Sequence, residues 1–384
     1  MKKQQLILSI AMVVAILVSN VKVTFAEKWR VNLLSNYNGT SLFGDNYGGS
    51  VSNPVFKNID QAQNAIAYVN SGNRKNDTLY LEGCPSNLNY PTVYLIKPLV
   101  IIGTGYFLNL NPNTSNDQLE SKINNFRFNT GSAGSKIIGV NFIQGMVINV
   151  DSIDVKRCYF SPLGTSPSID FSSNNLVHNI NILQNFFDNT PNVPNSVFTI
   201  NGNGGVTDIR INFNIFKRPL LVTAGTTTYT VLECINNTFD CPIIPSLPSI
   251  KMNCLAFHNN IVKTAIALDI GTTLANITNN SGSLSSQFDL STIYNNKVVA
   301  MNALFVTPGT STDGNYLLVS SGGGAPNWPG LNGGDRGAFG GIYPTIRYAL
   351  SGNAPIPVIY GIINYGNVTP SSGLPVTIQA KTIK

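Results

Sequence analysis

The chain has 384 residues, 43% of them hydrophobic and only 11% charged, with a formal net charge of +6. Lys2, Lys3 and Lys22 belong to a leader described next, and without them the charge falls to +3 with no Lys/Arg block, which excludes a nucleic-acid footprint. Two histidines, and five cysteines (Cys84, Cys158, Cys234, Cys241, Cys254) without a C-x-x-C pair, give no basis for a zinc or iron site, so no metal is expected.

Residues 1–26 read as a secretory signal peptide. Lys2 and Lys3 precede an apolar run from Leu6 to Val18, which is too short to span a bilayer, and Thr24-Phe25-Ala26 supplies a small-residue cleavage site. The mature protein is therefore expected to be secreted or held at the cell surface, with no transmembrane segment left after cleavage.

From residue 27 to 341 the composition favours many short strands joined by tight turns. The 51 asparagines and 34 glycines tolerate the left-handed conformation that turns require. One helical stretch stands out within 55–72, where Ile59, Ala62, Ile66 and Val69 recur at helical spacing behind Asn58 as a cap. A stacked solenoid exposes core at its ends, and this helix is placed to cover the first of them.

After the strands of "DTLYLEG" and "VYLIKPLVIIGTGYF" comes a repeat anchored at Asn141, Cys158, Asn185, Asn214, Asn237, Asn260, Asn280 and Asn296. The spacings of 17, 27, 29, 23, 23, 20 and 16 residues centre on one turn of a parallel β-helix. Three residues before the anchor stand Ile138, Val155, Ile182, Ile211, Cys234, Phe257, Ile277 and Ile293; five before stand Ile153, Ile180, Ile209, Leu232 and Leu255; two after stand Ile143, Phe160, Phe187, Phe216, Phe239, Val262 and Val298. Inward positions are odd before the anchor and even after it, so the chain must bend just ahead of the anchor, at residues such as Asn212, Asn236, Asn259, Asn279 and Asn295. Coils stacked about 4.8 Å apart would set Asn141, Asn185, Asn214, Asn237, Asn260 and Asn296 in a hydrogen-bonded ladder.

The opening "NIDQAQNAIAYVNSG...NDTLYLEG" with "PLVIIGTGYF", and the closing "DGNYLLVSSGGGAPNWPGLNGGDRGAFGG", resemble bacterial secreted right-handed parallel β-helix proteins of the pectin-lyase-like superfamily. The likeness runs from about Trp29 to Gly341, departing at Gly324-Ala325-Pro326 where the family usually has Ser-Pro-Ala. It implies an all-β, right-handed parallel β-helix with an N-terminal capping helix, and leaves activity open, because this fold hosts lyases, hydrolases, adhesins and fibres alike.

A polysaccharide lyase of this fold needs calcium-binding acids on neighbouring coils and a Lys or Arg base, and a hydrolase needs clustered acids. Three residues after the anchor the outward row reads Gln144, Ser161, Asp188, Lys217, Asp240, Lys263, an alternation that suits an ion-pair ladder. It would also furnish Asp188 and Asp240 as acids with Lys217 or Arg218 as base. Four before the anchor, Arg210 beside Glu233, with Asp208 nearby, offers either a cross-coil pair or the minimum of a calcium-assisted lyase site. Phe142, Tyr159, Phe186 and Ile215 make an outward apolar stripe, for loop packing or for stacking on sugar rings. The leading expectation is a structural or glycan- and cell-surface-binding protein without a cofactor, and the alternative is a lyase or hydrolase of acidic polysaccharide.

In the closing turn, Asp335 is expected to accept backbone N–H groups, Gly337 to supply the turn and Arg336 to face solvent. Residues 342–384 form a tail whose runs "PVIYGIINYG" and "LPVTIQAKTI" are expected to pair and to offer an edge to a partner.

Overall fold

The computed structural model describes residues 28–35, 55–69, 77–354, 357–364 and 376–382, apart from 112–113, 116, 162–166, 189–195, 202, 225–227, 245–247, 307–312, 320–334 and 341–346. The leader, most of the "NWPGLNGGDRGAFGG" stretch and the residues 365–375 between the two tail strands lie outside the described residues.

The body is an all-β parallel solenoid. Successive coils cross three faces, for example at Ile153–Lys156, Tyr159–Phe160 and Ile169–Phe171, and then at Val177–Leu183, Phe186–Phe187 and Phe198–Ile200. Among the described residues the faces form parallel sheets of eleven and nine strands, with six- and three-stranded sheets sharing the third face. The helix Ile59–Val69 begins where Asn58 Oδ1 accepts the Gln61 N–H at 2.8 Å, and it sends Ile59, Ala62 and Ala65 into the core with Trp29, Val31 and Phe56.

From Gly139 on, the bend between the first and second faces of each coil is one residue in the left-handed region: Gly139, Arg157, Gln184, Phe213, Asn236, Asn259, Asn279 and Asn295 have φ between 51° and 69°. Each bend turns the next side chain inward. From Asn185 onward that residue is a buried asparagine; Asn185 Oδ1 accepts the backbone N–H of Cys158 at 2.9 Å, and from Asn214 onward the Oδ1 accepts two N–H groups from the coil before. Asn214 Oδ1 takes the backbone N–H of Asn185 at 2.8 Å and its Nδ2–H at 3.0 Å. Asn237, Asn260, Asn280 and Asn296 repeat the arrangement. The second amide hydrogen goes to a core-strand carbonyl, from Asn214 to Ile182 O at 2.8 Å and from Asn237 to Ile211 O at 2.7 Å. A polar amide inside an apolar core is thereby satisfied on every side.

Two residues beyond the anchor a phenylalanine column runs beside the ladder. Phe142, Phe160, Phe187, Phe216 and Phe239 stack with centroids 4.7–5.0 Å apart. Such contacts contribute about 0.5–1.5 kcal/mol each beyond the area they bury.

Several expected positions differ from the structure. Asn141 is not in the ladder: Asn141 pairs with Tyr159 and Phe142 with Phe160, so Val140 is the anchor of that coil and Phe142, not Ile143, points inward. Gly139 makes the bend one residue earlier than the asparagine suggests, and the Asn141 amide instead reaches Glu120 Oε2 at 2.7 Å. Leu232 and Leu255 do not fill the core, because the pairing slips between Ile209 and Arg210, after which Val231 and Cys254 take the inward places and Leu255 is exposed. Ile293 lies in a turn rather than a strand and is 77% exposed.

Replacing Asn214 by Leu strands the two N–H groups of Asn185 in the core at about 1–3 kcal/mol each. Chemical denaturation should show a loss of about 2–5 kcal/mol for Asn214→Leu and within about 0.5 kcal/mol for the exposed Asn203→Leu.

Candidate functional site

The outward row after the ladder places Asp188, Lys217, Asp240 and Lys263 on consecutive coils, in two closed pairs. Lys217 Nζ is 2.9 Å from Asp188 Oδ1 and Lys263 Nζ is 2.7 Å from Asp240 Oδ2. Each carboxylate also accepts a tyrosine hydroxyl, Asp188 from Tyr159 at 2.9 Å and Asp240 from Tyr316 at 2.8 Å, while Thr264 Oγ1 donates to Asp240 at 3.0 Å. Lys263 lies over the ring of Tyr316, 5.2 Å from its centroid. Burial alone would raise Asp240, but the hydrogen bonds from Lys263, Tyr316 and Thr264 and the lysine charge outweigh it and hold the carboxyl below the usual range. A carboxylate so held is an acceptor, not a proton donor.

The row on the first face carries Lys136, Asp154, Asn181, Arg210 and Glu233. Arg210 Nε is 3.4 Å from Glu233 Oε1, which also accepts Asn212 Nδ2–H at 2.9 Å, and Lys136 is 3.1 Å from Asp154. Asp208 is not brought to this pair; it stands in the left-handed region and approaches His178 Nδ1 at 3.7 Å, while His178 Nδ1 and Thr207 Oγ1 are 2.6 Å apart. Among the described residues no group of three or more His, Cys, Asp and Glu is arranged to hold a metal ion. The five cysteines are buried free thiols, and burial pushes Cys158 up to about 12 and Cys234 and Cys241 well above the ordinary thiol range, away from nucleophilic use.

The outward stripe Tyr159, Phe186 and Ile215 is covered. These side chains form a second apolar cluster with Tyr106, Ile261, Leu304, Phe305, Tyr316, Ala338 and Tyr348, so the returning C-terminal chain packs along this face. It is held at the bends. Arg157 donates from Nη1 to Asn353 O at 2.7 Å, and Gln184 Nε2 donates to Arg347 O. Asn236 Nδ2 donates to Asp335 O at 2.8 Å, and Gly337 N donates to Asn259 O at 2.7 Å.

Arg336, expected in solvent, is fully buried. Its guanidinium donates to Asn280 O at 2.6 Å, Ser281 Oγ at 3.1 Å and Asn295 O at 2.8 Å, joining the carbonyls of the last two coils. Burial pushes it down to about 10, still cationic at neutral pH. The closing turn is thus anchored by Arg336 and by backbone groups, with Asp335 contributing its carbonyl. Gly337, at φ 80°, leaves no room for a Cβ against Ile261 and Thr238.

The third face holds an arrangement that the sequence pattern does not reveal. Tyr94 is half exposed, and the guanidinium of Arg127 on the next coil is 6.0 Å from its ring centroid. Two coils further along the same row is Asp170, which accepts from Asn201 Nδ2 at 2.9 Å and Ser172 Oγ at 2.6 Å. An aromatic face beside planar hydrogen-bonding groups can lie against a sugar ring and its hydroxyls. Only the pairing Tyr94–Arg127–Val147–Asp170 across coils separated by linkers of different length brings them into line.

The depressed Asp240 fixes a pH dependence. Its folded value lies below the ordinary 3.8, so its contribution to stability is complete above pH 3.8 and is lost as pH falls through the lower folded value. The thermal midpoint of the wild type should exceed that of Asp240→Asn at about pH 6, and the gap should close below pH 3.8, as followed by circular dichroism.

No family model matches the chain, and no curated protein or solved structure matches it either.

Proposed function

We propose that the chain is an exported or surface-displayed, right-handed parallel β-helix of the pectin-lyase-like kind that binds an extended polysaccharide or cell-surface glycan along its flank. In this reading residues 1–26 are removed as a signal peptide, 27–341 form the β-helix with the helix Ile59–Val69 capping its N-terminal end, and 342–384 are a tail available to a partner. The observation that carries it is the row in which exposed Tyr94 and Arg127 are followed, past the buried Val147, by the half-buried Asp170. A glycan with a regular repeat can lie along such a row, its ring faces on the aromatic side chain and its hydroxyls on the charged ones. The contrast with the acid and base rows supports the same reading. Asp188, Asp240 and Glu233 each accept a cross-coil cation, so neither Lys217 nor Arg210 stands as an uncommitted base.

The tail strands Pro357–Asn364 and Val376–Thr382 pair antiparallel, as a two-stranded ribbon. A ribbon of two strands has open edges on both sides, which suits attachment of the rod to a surface partner.

The alternative, a lyase or hydrolase of acidic glycans using Arg210 or Lys217 with calcium, is separated by one panel experiment. The wild type should retain at least one polysaccharide from a set of uronic-acid and neutral glycans. Tyr94→Ala and Arg127→Ala should each weaken that binding roughly fivefold, the equivalent of about 1 kcal/mol. Absence of binding to every member would contradict the proposal. So would ultraviolet-absorbing unsaturated products, formed with calcium and abolished by Arg210→Ala or Lys217→Ala.

A further inference from the structure

The C-terminal chain crosses the second face in two stretches that are held by different means. At 335–338 it is tied into the last coils: Arg336 reaches Asn280 O, Ser281 Oγ and Asn295 O, Gly337 N donates to Asn259 O at 2.7 Å, and Ala338 N donates to Thr238 Oγ1 at 3.0 Å. At 347–353 the partners lie elsewhere. Ser351 N donates to Asp313 Oδ2 at 2.7 Å and Ser351 O accepts Tyr106 N–H at 2.8 Å. Asn111 Nδ2 donates to Asp313 Oδ1 at 2.9 Å and to Ser351 Oγ at 2.7 Å, and the Tyr106 and Tyr348 hydroxyls are 2.5 Å apart. The bends contribute Arg157 and Gln184, at Asn353 O and Arg347 O. None of these bonds uses an asparagine of the ladder, so breaking them leaves the coils paired.

The fit of 347–353 is backbone on backbone. A Cβ on Gly352 would meet Arg157 O and the Tyr106 ring, each at 2.3 Å, and one on Gly105 would meet Ser351 O at 2.4 Å. Gly352 stands at φ 58°, and Ser351 before it at φ 59°, a left-handed conformation that is unfavourable for a residue with a side chain. Asn353 is 1% exposed, and neither its Oδ1 nor its Nδ2 has a hydrogen-bond partner among the described residues. An unpaired buried carboxamide weighs against the closed state, because water satisfies both atoms once the segment lifts. Both costs fall on one short stretch that the coils do not need for their register.

We infer that residues 347–353 form a latch that opens and closes as a unit while the coils and 335–338 stay folded. Closed, it sets Tyr348 against Phe339, with ring centroids 4.9 Å apart, and shuts Tyr106 and Arg157 away from water. Open, it uncovers Tyr106 and, behind it, Tyr159, whose rings lie 5.3 Å apart. Access to this end of the aromatic stripe is then set by the latch and not by the solenoid. Segments that move in folded proteins are drawn from the parts with the lowest local stability, and this stretch meets that description.

Trypsin reads the opening, since the Arg347 side chain is exposed while its carbonyl is held by Gln184. In the native full chain a fragment ending at Arg347 should accumulate well before the strands lose their circular dichroism. Gly352→Ala should speed that cut at least about tenfold and Asn353→Leu should slow it about fivefold, with the main thermal transition of both unmoved. Deuterium should enter the N–H groups of Tyr106, Ser351 and Gly352 together, and ahead of the ladder amides. A cut at Arg347 that proceeds only at the rate of global unfolding would overturn the inference. A Gly352→Ala chain that melts earlier but is cut no faster would do the same, by placing the stretch inside the cooperative unit of the coils. An Asn353→Leu chain cut as fast as the wild type would also contradict it, by removing the carboxamide as the source of the opening.

Discussion

A carboxamide inside a hydrocarbon core has four hydrogen-bonding demands, and the solenoid is arranged so that the coils above and below meet them. Asn185, Asn214, Asn237, Asn260 and Asn280 each give their backbone N–H and one amide hydrogen to the next asparagine and their other amide hydrogen to a strand carbonyl. That exchange works only if each coil bends at the same place with the same dihedral angles, and the left-handed residue ahead of every anchor supplies this. Register, the phenylalanine column and the alternation of outward charges all follow from it. A coil that slipped by one residue would lose the bonds and turn its phenylalanine outward.

The bends also decide how the C-terminal chain attaches. A left-handed residue turns its own carbonyl or side chain away from the sheet, and Arg157, Gln184, Asn236, Asn259 and Asn295 form a row of such groups along the edge between two faces. The segments 335–338 and 347–353 bond to that row, with Arg336 bridging the last two coils. The outward aromatic stripe becomes a second core under this chain, and so it is withdrawn from any ligand. The third face, with Tyr94 and Arg127, stays open to solvent, as do the charged row of the first face and the end of the last coil.

The sequence made the periodic part of this legible, because side chains under one constraint must repeat their type. Ile before the anchor, Phe after it and Asn at it mark the same inward places coil after coil, and the Asp188–Lys217 and Asp240–Lys263 pairs are visible as alternation. The rest was hidden for identifiable reasons. In a chain with 51 asparagines, Asn141 resembles an anchor, and only Gly139 in the bend shows that Val140 holds that place. Leu232 and Leu255 misled because a slip in pairing leaves no mark on local spacing. Arg336 looked like a surface residue because its acceptors are 41–56 residues away. The tyrosines that bond the two aspartates are 29 and 76 residues distant, and the juxtaposition of Tyr94 with Arg127 depends on coils of unequal length.

The central claim is that the buried asparagine ladder sets the stability of the whole stack. Native-state hydrogen exchange tests it directly through the backbone N–H groups of Asn185, Asn214, Asn237, Asn260 and Asn280, each bonded to a side-chain oxygen rather than to another backbone carbonyl. If the ladder holds the coils in register, these five protons exchange together, only through global unfolding, and with the slowest amides of the core strands. Exchange through local opening, faster than that of Ile182 or Ile211 beside them, would contradict the account.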